Sequence, residues 1–387
     1  MAGPLSGYRI VEFAGKGPGP FAGMMLADMG AEVIRIDRPH TAGEEIPGAP
    51  AGGTDILGRG RRSAGIDLKH PAGVEAVLRL IRRADGLIEG FRPGVMERLG
   101  LGPDVCLARN PKIVYGRVTG WGQEGAYARR AGHDINYIAL SGTLDLVGRR
   151  GQAPVPPANL VGDFGGGGML LAFGLVCGLV EAGRSGRGQV IDAAMVDGAA
   201  LLAQMIYGFQ AAGVWGERGT NMLDTGAWFY EVYETADGKY ISLGSVEPQF
   251  LEQMLKLTGL AADIDGQGPV PDQFDRSTWP HMKNRVAAVI KTKTRDEWTA
   301  VFDGGDACFA PVLSVAEAAA HPHNVTRNTF LRTDGILQAS PAPRFSRTAP
   351  VAGSPPARPG QDTEGVLTDA GLSPQEIVEL RSARVIA

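Results

Sequence analysis

Apolar and polar positions follow two alternating patterns from the N-terminus to about residue 120. Short β-branched runs alternate with longer amphipathic stretches, which is typical of a parallel sheet with crossover helices. The predicted strands are YRIVEFA, AEVIRID, SAGIDL, DGLIEGF and KIVYGRVTG, and the predicted helices include PFAGMMLADMG and GVEAVLRLIRRA. The pattern therefore predicts a doubly wound α/β sheet, similar to a Rossmann fold, in the first part of the chain.

The pattern changes after Val161. Long stretches of Ala, Leu, Gly and Met predict packed helices at 169–181 and 193–212, with a strand inside GRSGRGQVIDAAMVDG. WFYEVYETADGKYISLGS predicts a β-hairpin, and the amphipathic segments after it predict a small α+β domain. The resulting boundaries are 1–200 for a large α/β domain, 201–224 for a helical linker, 225–325 for the small domain and 326–387 for a C-terminal segment.

Composition and charge restrict the classes of protein to which this chain can belong. The chain has 387 residues, a length that predicts two domains or one large domain with an inserted smaller one. Hydrophobic residues make up 44% of the chain and charged residues 21%, which is typical of a globular protein. A net charge of −4 gives no reason to expect a nucleic-acid surface. The three cysteines are far apart and match no metal spacing, which favours a reducing compartment. We find no signal peptide and expect no stretch long enough to span a bilayer, so the sequence predicts a cytoplasmic protein with no membrane partner.

A glycine-rich loop, GKGPGP at 15–20, follows the first predicted strand. A dinucleotide-binding fingerprint would require glycine where Pro20 stands, so the loop does not match it. By itself the loop indicates only that some ligand binds at this edge of the sheet.

Basic residues follow several of the predicted strands. Arg38 and Arg92 each come just after a strand and just before proline, and Arg59, Arg61 and Arg62 lie between them in the chain. Ligands of open α/β sheets bind beyond the carboxyl ends of the strands, and arginine grips phosphate with two parallel hydrogen bonds. These positions indicate a polyphosphate ligand, although solvated surface arginines remain the alternative.

Asp163 stands in front of four consecutive glycines and an apolar run. If a helix begins near Phe164, the simplest role of this carboxylate is an N-cap. Four glycines weaken the first helical turn, however, and their lack of side chains would let a ligand carbonyl approach the backbone amides. We therefore expect the amides of Gly165 and Gly166 to stabilise an anion that develops on that oxygen.

His133 is the histidine that lacks an easy structural explanation. It lies in Gly-His-Asp, just ahead of an apolar segment and thirty residues before Asp163. His321 and His323 flank Pro322, but no nearby cysteine or carboxylate cluster completes a site there, so we predict no metal centre. Taken alone, a Gly-His-Asp sequence is more often structural than catalytic.

The segments that contain these residues resemble one family. GHDINYIALSG, NLVGDFGGGG and GSVEPQF are similar to segments of the family III CoA-transferases of the CaiB/BaiF type, and in particular of their α-methylacyl-CoA racemase branch. The resemblance begins at YRIVEFAGKGPGPFAGMMLADMGAEVIRIDRP, continues through DGLIEGFRPGVMERLG and reaches APRFSRT, so it covers most of the chain.

The resemblance implies an isomerase of branched-chain acyl-CoA in lipid metabolism. It makes His133 and Asp163 the two bases on opposite sides of the substrate α-carbon, with Glu247 orienting the histidine. It makes Arg38, Arg92 and the 59–62 stretch contacts of CoA, and Asp134 and Tyr137 contacts of the pantetheine or thioester. It also implies an interlocked homodimer whose C-terminal segment returns to the large domain. No cofactor is expected beyond the CoA that the substrate carries.

Two other functions remain open from the sequence. In related transferases the equivalent of Asp163 is a nucleophile that forms an acyl anhydride, so an acyl-CoA:carboxylate CoA-transferase is the alternative. A CoA-binding protein without catalysis is a third. The presence of both the Gly-His-Asp histidine and the Glu-Pro-Gln glutamate favours the racemase, although the sequence does not identify the acyl chain.

Overall fold

The computed structural model describes residues 3–39, 54–263 and 266–387, which form two compact units. The large unit combines Met1–Ser141, Ala158–Leu202 and Asn328–Ala387, and the small unit combines Gly142–Pro157 and Ala203–Arg327. Residues 142–157, which the sequence assigns to the large domain, thus belong to the small unit. Almost all of the predicted linker at 201–224 also belongs to the small unit.

A six-stranded parallel sheet forms the centre of the large unit, which confirms the predicted α/β class. Its order, β3-β2-β1-β4-β5-β6, is that of doubly wound nucleotide-binding folds. The order reverses between β1 and β4, which is where such folds bind ligands. The strands are β1 (Arg9–Phe13), β2 (Glu32–Asp37), β3 (Arg61–Gly65), β4 (Gly86–Glu89), β5 (Val114–Thr119) and β6 (Gln189–Ala194).

Helices cover both faces of this sheet, because its strands are apolar on both sides. The two resulting cores pack around Val11 and Leu87 on one face and around Ile10 and Ile88 on the other. The helices up to β6 are α1 (Pro18–Asp28), α2 (Pro71–Ile81), α3 (Val95–Arg98), α4 (Pro103–Arg109), α5 (Asp134–Leu140), a π-helix (Leu160–Met169) and α6 (Leu170–Ser185). Those after β6 are α7 (Met195–Leu202) and, in the small unit, α8 (Gln204–Ala211).

The π-helix and α6 form one continuous helix from Leu160 to Ser185. It has 26 residues and contains an 18-residue stretch with a mean hydropathy of 1.6, so by length and composition it is able to cross a bilayer. The expectation that no stretch is long and apolar enough is therefore wrong. The core helix of a soluble protein has the same properties, and α6 packs on β5 and β6 here.

The small unit contains an antiparallel sheet of order β7-β8-β9, formed by β7 (Tyr230–Glu234), β8 (Tyr240–Gly244) and β9 (Phe309–Pro311). The predicted hairpin is present, and its aromatic core includes Trp228, Phe229 and Trp298. The helices that follow are α9 (Pro248–Thr258), α10 (Trp279–Ile290), α11 (Arg295–Phe302), α12 (Val315–Ala320) and α13 (Pro322–Thr326).

The C-terminal segment packs against β3, an edge strand of the large sheet. It contains a hairpin of β10 (Phe330–Thr333) and β11 (Ile336–Ala339), followed by α14 (Thr363–Asp369) and α15 (Pro374–Ser382). The backbone N–H of Ser63 donates to Asp362 Oδ2 at 2.9 Å, and that of Gly65 donates to Thr363 Oγ1 at 3.0 Å. Ile386 adds an antiparallel bridge to Ile66. The end of the chain thus satisfies backbone groups that an edge strand leaves unpaired.

Candidate active site

His133 is the residue that precedes α5 and forms its N-cap. Its backbone N–H donates to Asn136 Oδ1 at 3.1 Å, which fixes the start of the helix. The residue itself is exposed, whereas the next residue, Asp134, is buried. The local fold thus presents an imidazole at the surface and turns the adjacent carboxylate inward.

Asp163 lies in the first turn of the π-helix. The helix begins at Leu160 with Asn159 as its N-cap, so the expectation that Asp163 itself caps a helix near Phe164 is wrong. Asn159 Nδ2 donates to Asp163 Oδ2 at 3.1 Å. The backbone N–H of Asp163 donates to Asp134 Oδ2 at 2.7 Å, which joins this helix to α5.

The surroundings of Asp163 favour its protonated form. Burial raises the pKa of this carboxyl, and the carboxylate of Asp134 raises it further. The hydrogen bond from Asn159 and the imidazole of His133 oppose this and lower the pKa. The net pKa of Asp163 lies above its ordinary value. The imidazole of His133 thus influences the Asp163 carboxyl, and the role of the two side chains as a pair of bases stays a prediction.

This site lies at the reversal point of the large sheet. Gly17 belongs to the loop after β1 and has φ of 67°, a conformation that favours glycine. A Cβ on Gly17 would lie 3.3 Å from Asp163 Oδ2. Because the chain leaves β1 and β4 toward opposite sides of the sheet, the Asp163 carboxyl lies beside the crevice where open α/β sheets bind ligands.

Arg92 and Tyr137 belong to the same region. Arg92 follows β4, is exposed, and lowers the pKa of Tyr137, whereas burial of the phenol and the carboxyl of Asp163 raise that pKa. The Tyr137 hydroxyl donates to the carbonyl of Gly132, so it holds the backbone just ahead of the histidine. Arg38 is exposed and follows β2 at the same edge of the sheet. Arg38 and Arg92 are thus exposed at positions where each could contact a ligand phosphate.

Arg59 and Arg61 have a different role from the one that the resemblance implies. Arg59 is 4% exposed and donates to both carboxyl oxygens of Asp28. Arg61 is 3% exposed and donates to Glu12 at 2.6 Å. Breaking a buried ion pair costs several kcal/mol, so a phosphate would not draw these guanidinium groups out of the core. We therefore remove both arginines from the candidate CoA site and assign them to the core.

The glycines after Asp163 serve helix packing. A Cβ on Gly166 would lie 2.7 Å from the backbone nitrogen of Ala199 in α7, and one on Gly168 would lie 2.7 Å from Phe21 Cδ1 in α1. In a π-helix each N–H is directed to the carbonyl five residues earlier, so the amides of Gly165 and Gly166 face carbonyls inside the helix. The expectation that these two amides stabilise a ligand oxyanion is therefore not supported by the geometry.

Glu247 lies in the small unit. It is exposed and forms the N-cap of α9, with Pro248 in the first helical position. Its predicted role, to orient His133, stays a prediction.

The residue that sequence reasoning missed is Asn159. Its amide binds the catalytic candidate across one helical turn, and the spacing of four residues is the signal that could have found it. The sequence assigns Gly17 only to a glycine-rich loop. In the structure, its lack of a side chain leaves room beside Asp163.

The family model described as CoA-transferase family III matches residues 5–363 of this chain, a range that includes the site. The chain belongs to CoA-transferase family III. The resemblance inferred from the sequence motifs is thus confirmed. Within the family the chain is 47% identical to the α-methylacyl-CoA racemase of Mus musculus, over 99% of this chain and 97% of that protein. It is 44% identical to the α-methylacyl-CoA racemase of Homo sapiens over the same shares.

Solved structures agree with the family fold. A CaiB/BaiF family protein from Brucella suis superposes with a TM-score of 0.82 at 24% identity, over 96% of this chain and all of that one. The protein Rv3272 of Mycobacterium tuberculosis gives a TM-score of 0.76 at 27% identity, over 94% of this chain and 99% of that one.

Proposed function

We propose that this chain is an α-methylacyl-CoA racemase, which inverts the α-carbon of 2-methyl-branched acyl-CoA thioesters. The observation that carries the proposal is the hydrogen bond from the Asp163 backbone to Asp134, the residue after His133, which joins the segments of the two proposed bases near the reversal point of the sheet. Similarity over nearly the full length to proteins named α-methylacyl-CoA racemase, at 44–47% identity, supports it.

Inversion requires a proton to leave one face of the α-carbon and another to arrive on the opposite face. In the proposed reaction one of the two residues removes the proton and leaves a planar enolate, and the other residue donates its own proton to the far face. The two enantiomers require opposite starting states of the pair. His133 must be neutral while Asp163 is protonated for one enantiomer, and His133 must be protonated while Asp163 is ionised for the other.

The environment of Asp163 suits this requirement. Ordinary pKa values of about 3.9 for Asp and about 6.5 for His would disfavour the state with the proton on Asp by about 3.5 kcal/mol, or about 400-fold. Burial raises the pKa of Asp163 and so brings the two states closer in free energy. A racemase that works in both directions needs both states to be populated.

The CoA part of the substrate would bind at the carboxyl edge of the large sheet. Arg38 and Arg92 are the exposed arginines that follow β2 and β4, and each can hold a phosphate through charge-assisted hydrogen bonds. Arg59 and Arg61 support this edge from within the core.

We also propose that the protein works as a homodimer. Met169, Phe173 and Val180 lie along the π-helix and α6 and are 53%, 68% and 50% exposed. An open groove of about 630 Å³ beside Phe173 and Val180 is mostly apolar. The neighbouring strand β6 is an edge of the sheet. An apolar face next to an open edge strand is typical of a protein interface. Phe173→Glu should convert a dimer into monomers in sedimentation, whereas Glu379→Gln, an exposed position on α15 outside this groove, should leave the dimer intact.

Deuterium wash-in tests the reaction. Incubation of each pure enantiomer of a 2-methylacyl-CoA in heavy water should give a racemic product labelled at the α-position. A panel of thioesters with straight-chain, sterol-like and aryl groups would identify the preferred acyl chain. Tight CoA binding without any exchange would instead indicate a non-catalytic CoA-binding protein.

CoA transfer is the second candidate, because proteins named succinyl-CoA:glutarate CoA-transferase are 27–29% identical to this chain. In that reaction the Asp163 carboxylate would attack the thioester and release CoA. A second carboxylic acid as acceptor separates the two functions. Formation of a new thioester without exchange of the α-hydrogen would overturn the racemase proposal.

A further inference from the structure

Asp134 carries a buried carboxylate that the family resemblance treats as a contact of CoA. The side chain is 6% exposed. Its Oδ2 accepts the backbone N–H of Asp163 at 2.7 Å, and its Oδ1 is buried with no hydrogen-bond partner among the described residues. A buried carboxylate with one unsatisfied oxygen is costly to retain, so a purely structural link between α5 and the π-helix does not account for it.

The chain makes room for this carboxylate. A Cβ on Gly162, the residue before Asp163, would lie 2.5 Å from Asp134 Oδ2. Glycine at this position therefore allows the carboxylate to reach the first turn of the π-helix. The contact joins the two segments that supply the proposed bases, since His133 precedes Asp134 and Asp163 follows Gly162.

The negative charge of Asp134 acts on Asp163. Titratable side chains on the neighbouring elements include His133, Asp134 and Tyr137 around α5, Asp197 on α7, Lys16 before α1, Asp28 on α1, Arg117 on β5 and Asp192 on β6. Among these, Asp134 raises the pKa of Asp163 and His133 lowers it. Asp197 is exposed and does not contribute to this shift. The carboxylate at position 134 is thus the neighbouring charge that opposes ionisation of the proposed base.

We propose that Asp134 is a positioning residue for Asp163, holding its backbone by a hydrogen bond and setting a buried carboxylate beside the first turn of the π-helix. This inference rests on the proposed racemase function. It gives Asp134 a role in proton transfer in addition to any contact with the thioester.

The experiment compares the wild type with Asp134→Asn, Asp134→Ala and the control Asp197→Asn. Asparagine retains an oxygen that can accept the Asp163 N–H but removes the charge, and alanine removes both. The acid limb of the kcat/KM profile for α-proton exchange reports the free enzyme. With Asp134→Asn this limb should move to lower pH, because Asp163 loses its proton more readily, and kcat/KM on the plateau should fall. With Asp134→Ala, kcat should fall further. The melting temperature of the Asn variant should equal that of the wild type, and Asp197→Asn should retain the wild-type pH profile.

A second readout does not depend on activity. Carbon-13 NMR of the aspartate carboxyls, with the Asp163 signal assigned by its loss in Asp163→Ala, gives the pKa of Asp163 directly. A lower pKa in Asp134→Asn supports the inference, and an unchanged pKa in a folded variant overturns it. If the pKa of Asp163 moves as expected while the wild type exchanges no α-proton with any 2-methylacyl-CoA, the effect of Asp134 on Asp163 is supported and the racemase proposal fails.

Discussion

Removal of the Asp163 carboxyl should separate proton exchange from inversion. In Asp163→Ala the face that His133 serves keeps its base, whereas the opposite face has none. One enantiomer should therefore exchange its α-proton with solvent and retain its configuration. Inversion should fall by about 10²- to 10⁴-fold, which is the usual contribution of a positioned acid or base. His133→Ala should show the same behaviour with the other enantiomer.

The structure indicates that these losses do not come from unfolding. The hydrogen bond to Asp134 uses the backbone N–H of Asp163, which remains in every variant. Asp163→Asn also retains an oxygen that can accept from Asn159. Because the pKa of Asp163 is raised in the folded protein, its contribution to stability is greatest below the unfolded pKa and is lost as the pH rises through the folded pKa. Asp163→Asn should therefore become more stable relative to the wild type as the pH rises through this range.

The assay is proton NMR in heavy water with each enantiomer of a 2-methylacyl-CoA, combined with chiral analysis of the recovered acid. Urea unfolding at several pH values measures stability in parallel. CoA affinity should remain close to that of the wild type. A variant lacking either base that still inverts both enantiomers at nearly the wild-type rate would refute the two-base mechanism.

Further changes test the CoA contacts and the packing. Arg92→Ala should raise KM for acyl-CoA by about 10- to 100-fold with little change in kcat, because a charge-assisted hydrogen bond contributes about 1.5–3 kcal/mol; an unchanged KM in steady-state kinetics would exclude this contact. Arg61→Met leaves Glu12 buried and unpaired, so the free energy of unfolding measured in urea should fall by about 3–5 kcal/mol. A change in KM without a loss of stability would instead indicate that Arg61 binds CoA. Gly166→Ala should lower the free energy of unfolding by about 1–3 kcal/mol, because its added methyl group would overpack against α7. Its control, Gly183→Ala, meets no atom within 4 Å and should add about 1 kcal/mol of helix stability; equal effects of the two changes would argue against the packing role.

The strands and the two proposed bases could be predicted from the sequence because their signals are local. Runs of β-branched residues predict β1, β2 and β5, and the Gly-His-Asp and Gly-Asp-Phe-Gly segments point to His133 and Asp163. The partners of buried arginines could not be predicted in this way. Arg59 and Asp28 are 31 positions apart, and only the fold brings them into contact.

The glycines illustrate a second limit. A glycine that admits a ligand and a glycine that admits another helix look the same in the sequence. The four after Asp163 face α1 and α7, which come from distant parts of the chain. The start of the helix was placed too late because glycine is a poor helix former, and tertiary packing overrides that weak preference.

The contact between the C-terminal segment and β3 has a consequence for biosynthesis. The strands of the large sheet up to β5 are synthesised within the first 119 residues, yet the edge at β3 acquires its cover only from 360–363 and Ile386. A ribosome-bound nascent chain therefore carries an uncovered edge until these residues have been synthesised. Termination before residue 360 should yield a chain that is prone to aggregation and depends on chaperones, even though both proposed bases have already been synthesised.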